Sequence, residues 1–121
     1  MNPPIFQVCA ADTNVTALLG AAPTRLFPFG EAPQGVTLPY AVWQTITGLP
    51  DNYLGQAPDI DQYTIQVDVY AARGSAARDV AEALRNAIEP HAHIVGWNGE
   101  STDPETGHKR YGFDVSWFVH R

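Results

Sequence analysis

Asp61-Gln62-Tyr63-Thr64-Ile65-Gln66-Val67-Asp68-Val69-Tyr70-Ala71 alternates with a period of two. Tyr63, Ile65, Val67 and Val69 fall on one side, and Thr64, Gln66, Asp68 and Tyr70 on the other. Successive side chains of a strand point to opposite faces, so this stretch reads as a β-strand with one face in a core. The other face is wet or lies in a subunit interface. Arg73-Gly74-Ser75 then turns the chain, with Ser75 as a suitable N-cap. Ala76, Val80, Ala83, Leu84, Ala87 and Ile88 recur at helical spacing, while Arg78, Asp79, Glu82 and Glu89 lie off that stripe. The spacing predicts a helix over about 75–89, ended by Pro90.

Outward from this pair, the C-terminal third reads as a hairpin. Residues 93–97 form a strand, 98–109 a polar loop and 111–119 a closing strand. Tyr111, Phe113, Val115, Trp117 and Val119 make one face of that closing strand continuously apolar. Toward the N-terminus, 40–46 is dense in aromatic and β-branched residues and predicts another strand. Leu26-Phe27-Pro28-Phe29 is a short extended piece that Pro28 confines to an edge or a kink. Glu31-Ala32-Pro33-Gln34-Gly35 is a turn. Residues 4–19 read as one broken helix or two short ones, with Asp12 or Thr13 as the internal cap and Gly20 at the end. The expected fold is α+β: a mostly antiparallel sheet of four or five strands, the 75–89 helix on one face, and an N-terminal helix beside it or at the sheet edge.

Thr47-Gly48-Leu49-Pro50-Asp51-Asn52-Tyr53-Leu54-Gly55-Gln56-Ala57-Pro58 is rich in turn residues and is expected to be a long connection. Loops of this length in compact domains are usually functional or disordered. A solvated loop has little use for Leu49, Tyr53 and Leu54. They are expected to pack on another subunit or partner, the alternative being the chain's own core. Gln66 and Asp68, on the polar side of the central strand, are candidates for a surface near a subunit joint or a lumen.

The chain has 121 residues, a mass of 13.2 kDa and an apolar fraction of 45%. These values fit a single domain over 1–121 that needs neither disulfide nor metal to fold. The N-terminus lacks a basic region followed by a long apolar run, so no secretory signal is expected. No apolar run approaches the ~20 residues that span a bilayer, and no membrane partner is expected. Thirteen acids against seven Lys plus Arg give −6. Nucleic-acid affinity comes chiefly from Lys and Arg neutralising phosphates, so this balance argues against a phosphate-gripping role.

Residues able to carry chemistry are sparse. Cys9 is the only cysteine and lies on the apolar side of the N-terminal helix, where a thiol packs as a small hydrophobe. His91 and His93 would face the same way on a strand, but two ligands do not make a metal site. Asp59 and Asp61, with Asp51 before them, resemble the start of a calcium loop without its glycine or closing glutamate. Glu100, Asp103 and Glu105 form a charged hairpin tip. Neither a nucleophile-elbow serine nor a phosphate-cradling glycine loop is present. No catalytic residue, metal or cofactor is therefore expected. Three Trp, five Tyr and five Phe favour a binding or assembly role.

The order of features resembles a known family. Pro4-Ile5-Phe6, Val15-Thr16-Ala17-Leu18-Leu19-Gly20, Arg25-Leu26-Phe27-Pro28-Phe29-Gly30, Ala32-Pro33-Gln34-Gly35, Leu38-Pro39-Tyr40-Ala41-Val42-Trp43, the 61–71 strand and Phe113-Asp114-Val115-Ser116-Trp117-Phe118 are similar to the tail-completion or tail-terminator proteins of long-tailed bacteriophages and prophages. The likeness runs nearly end to end and has no catalytic fingerprint. It implies an α+β domain that closes into a hexameric ring on the head-proximal end of the tail tube. Such a ring stops tube polymerisation and joins the head connector, or neck protein. The implied setting is the virion tail, assembled in the host cytoplasm, with the tail tube protein and the connector as partners. DNA would pass through the lumen without specific binding, and six copies at −6 give −36. A head–tail connector subunit is the nearest alternative. A small metal-dependent enzyme using His91, His93 or the Asp59/Asp61 pair, or a cytosolic ligand-binding domain, are the others.

Overall fold

The computed structural model describes residues 3–53 and 56–120, with side chains outside 47–60. The strand read at 61–71 is the C-terminal part of a longer one. The elements in chain order are α1 (Ile5–Ala10), α2 (Thr13–Leu19), β1 (Leu26–Pro28), β2 (Tyr40–Tyr53), β3 (Gln56–Ala71), α3 (Gly74–Ile88), β4 (His93–Thr102) and β5 (Lys109–His120). The strands form one five-stranded sheet in the order β1-β2-β3-β5-β4. Only β1 and β2 run parallel; the other neighbours are antiparallel. This is the mostly antiparallel α+β architecture expected.

The alternation of β3 decides which face carries the core. Ile65, Val67 and Val69 are fully buried, as are Phe113 and Val115 across from them on β5. The stripe of α3 closes over that face through Val80, Leu84 and Ile88. Each large aliphatic side chain buried this way contributes about 1.5–3 kcal/mol. α1 and α2 pack against α3 and add Ile5, Cys9, Val15 and Leu19 to the same core.

The N-terminal segment is two short helices. Asp12 separates them and caps the second, its Oδ1 accepting from the backbone N–H groups of Asn14 (2.9 Å) and Val15 (3.1 Å). Gly20 follows α2 at φ +87°, and a Cβ there would meet Arg25 Nη1 at 2.9 Å. That space is needed because the Arg25 side chain donates to Leu18 O and Pro39 O, tying the end of α2 to the start of β2. The opposite face of the sheet carries no helix among the described residues.

Three expectations change. α3 begins at Gly74 with Arg73 in the N-cap position, so Ser75 lies inside the first turn and does not cap it. Half of the 98–109 loop is strand: β4 runs on to Thr102, and six residues separate it from Lys109. Those β4 residues are polar because they sit on an exposed outer strand. The 47–58 connection is mostly paired strand, with β2 reaching Tyr53 and β3 starting at Gln56. Its ladder runs through Thr47↔Thr64, Leu49↔Gln62 and Asp51↔Ile60 to Tyr53↔Gln56. Pro50 is tolerated because β1 ends opposite Trp43, leaving β2 an edge strand from there on.

Candidate assembly surface

β2 and β3 outrun the rest of the sheet. β5 pairs with β3 only as far as Ile60↔His120, and β1 with β2 only as far as Pro28↔Trp43. Beyond Asp51↔Ile60 the two strands continue alone as a ribbon arm, and among the described residues neither outer edge is paired there. A two-stranded ribbon is marginal in water without something to pack on. Tyr53 lies on the β2 strand of this arm, and Leu49 just before it, opposite Gln62. Leu54 is outside the described residues.

The uncovered sheet face is the second part of the surface. Here β3 presents Gln62, Thr64, Gln66, Asp68 and Tyr70, paired with Phe118, Ser116, Asp114, Gly112 and Arg110 of β5. Gln66 and Asp68 come together, but not as bare polar groups. Asp68 is only 8% exposed. Its Oδ1 accepts from Arg110 Nε and Nη2, both at 3.1 Å, and its Oδ2 accepts from Gln66 Nε2 at 3.1 Å. Gly112 makes room for this group, since a Cβ there would stand 2.7 Å from Asp68 Oδ1. Gly112→Ala should therefore lose on the order of 1–2 kcal/mol, the crowding outweighing the relief of a strand glycine. A urea unfolding curve measures this, and an unchanged midpoint would show that Asp68 moves aside freely.

Aromatic rings line the β1 side of the same face. Phe27 meets Tyr40 edge-on at 6.5 Å, and Tyr40 stacks on its cross-strand partner Tyr70 at 5.1 Å. They border an open groove of about 250 Å³ formed by Phe29, Gly30 and Ala32 after β1, Val42 and Gln44 of β2, Asp68, and Asp103 of the β4–β5 turn. Phe29 is 71% exposed. Burial and then Asp103 raise the Tyr40 phenol pKa; burial and then Asp68 raise that of Tyr70, with Arg110 partly opposing. Sequence reasoning missed this groove. The aromatics are visible in the chain, but their adjacency depends on strand register.

The candidates for chemistry are scattered. Cys9 is fully buried, and burial, then Asp12, push its thiol up to about 12. It stays protonated and packs as an apolar group. An aromatic disulfide reagent should label it only at the rate of unfolding; prompt labelling of the native protein would contradict the packing of α1. His91 and His93 are both exposed, one in the turn after α3 and the other at the start of β4. Among the described residues, no three His, Cys, Asp or Glu side chains are grouped to hold a metal ion. The Asp59 side chain lies outside the described residues.

The arm, unpaired at its outer edges among the described residues, and the aromatic, polar sheet face are the candidate surfaces for joining other chains. The chain belongs to the family described as tail completion protein gp17, whose model matches residues 3–120. It is thus a structural component of the bacteriophage tail, and its family is not an enzyme class. Two solved structures share the fold. One is a chain in the virion of a native gene transfer agent particle, 17% identical, with a TM-score of 0.61 over 97% of this chain and 92% of that one. The other is the bacteriophage SPP1 gp17 protein, 11% identical, with a TM-score of 0.59 over 97% of this chain and 86% of that one. No curated protein matches the chain.

Proposed function

We propose that the protein is a tail terminator. Six copies close head to tail on the head-proximal end of the tail tube, end its polymerisation and present the joint to the head connector. The observation that carries this reading is the β2–β3 arm, which leaves its own sheet and needs a surface to lie on. A ring interface is heterologous, one patch meeting a different patch on the next copy. The arm, with Leu49, Tyr53 and Leu54, is one patch and reaches across to the neighbour. Gln66 and Asp68 stand near the joint or the lumen. Because Arg110 already neutralises Asp68, the negative charge of the lumen comes from other acids of the −6 chain. Such a lining lets a polyanionic genome slide without being held.

The test is the assembled particle. Electron microscopy of tails should show six copies in one layer at the head-proximal end of the tube. Deletion of the gene should give tubes of uncontrolled length or tails that fail to join heads. The terminator reading fails if the protein sits at the distal tip, or if deletion leaves tail length and head joining intact. Normal tail length with failed joining would favour a connector subunit.

A further inference from the structure

We propose that the groove on the uncovered sheet face is a docking site for an extended, arginine- or lysine-bearing segment of a protein other than a second copy of this chain. Its lining includes the Tyr40–Tyr70 stack, ring centroids 5.1 Å apart. Cations are drawn to the outer face of such a stacked pair, most strongly where water is partly excluded. Asp68 and Asp103 line the groove, and Glu31 lies on the exposed loop between Gly30 and Ala32. Arg110 offsets one of these three carboxylates, so the local balance is negative. Phe29 rises at the rim, exposed, as a lid for the aliphatic stem of a long basic side chain. No hydrogen bond engages the Tyr40 and Tyr70 hydroxyls or the Gln44 amide within the described residues, which leaves them available to an incoming strand.

The same charges argue against the arm of a second copy as the occupant. The arm contains Asp51 and Asp59, and no Lys or Arg occurs between residues 44 and 62. Arg78, Arg85 and Arg110 are each paired with a carboxylate of their own chain. The arm of a second copy therefore brings no positive charge to the groove. Nucleic acid would be repelled from it.

The experiment is an amide NMR titration of the whole protein with two peptides, acetyl-Gly-Arg-Val-Arg-Gly-amide and acetyl-Gly-Glu-Val-Glu-Gly-amide. The basic peptide should cause saturable shifts at residues 29–32, 40–44, 68–70 and 103, with a Kd on the order of 1 mM. The acidic peptide should cause none. Asp103→Asn should weaken the basic peptide by about fivefold. Asn keeps an oxygen that can accept from the Glu105 N–H, as Asp103 Oδ1 does at 3.0 Å, so the turn is preserved. The proposal is overturned by equal responses to the two peptides, by no saturable shift, or by shifts centred on another face. Shifts of the same amides with protein concentration alone would also overturn it, and would assign the groove to a second copy. None of these outcomes bears on ring formation, which is read from particles.

Discussion

Leu84→Ala is expected to lower the free energy of unfolding by about 2–5 kcal/mol. Leu84 is fully buried in the middle of α3, within the core that holds Ile65, Val67, Val115 and Phe113. Removing its isobutyl group loses the transfer free energy and leaves a cavity that a helix pinned against a sheet fills poorly. Ala also has the higher helix propensity, but that difference is a few tenths of a kcal/mol and does not change the sign. Denaturant titration of the purified protein gives the value. A loss below about 0.5 kcal/mol would mean that α3 does not present this face to the sheet.

The second large effect concerns assembly. On the proposed reading, in which they pack on a neighbour, replacing Tyr53 and Leu54 together with Ser should leave the free protein's melting temperature within about 2 °C of the parent, since a residue that makes no contact in its own core seldom contributes more than about 0.5 kcal/mol. The yield of infectious particles should nevertheless fall by on the order of a hundredfold, because the proposed ring would lose two large apolar contacts at each joint. Melting and plaque titre are measured separately. A large drop in melting temperature would assign these residues to the chain's own core, and an unchanged titre would remove the arm from the ring interface.

The parts of this fold legible in the sequence are those where burial enforces a period. β3 and α3 read clearly because a single core accepts every second residue of one and one stripe of the other. The closing strand did so for the same reason, with Phe113, Val115 and Trp117 all buried. The arm was illegible because its composition is that of a turn. Gly48, Pro50, Asp51, Asn52 and Gly55 are turn formers, and only pairing with β3 makes most of this stretch a strand. The polar end of β4 escaped notice similarly, as an exposed outer strand has no need of apolar alternation.

The candidate surface was legible only as a set of residues. Gln66 and Asp68 share one side of the central strand, opposite Asp114 and Gly112 of β5. That Asp68 is consumed by Arg110, 42 positions away in the chain, depends on the β3–β5 register. The Tyr40–Tyr70 stack depends on the β2–β3 register in the same way. Ring adjacency of this kind is a tertiary fact that local composition does not encode.

The arm's geometry also determines how such a protein can change over evolutionary time. Because side chains alternate along a ribbon, inserting one residue in each strand lengthens it by about 3.3 Å and reverses which residues face up. Inserting two in each restores the facing and adds about 6.6 Å. The reach of the arm past Ile60 is therefore graduated: if it bridges neighbours as proposed, descendants can step to a wider or narrower spacing in even increments, while the helix-covered core stays untouched.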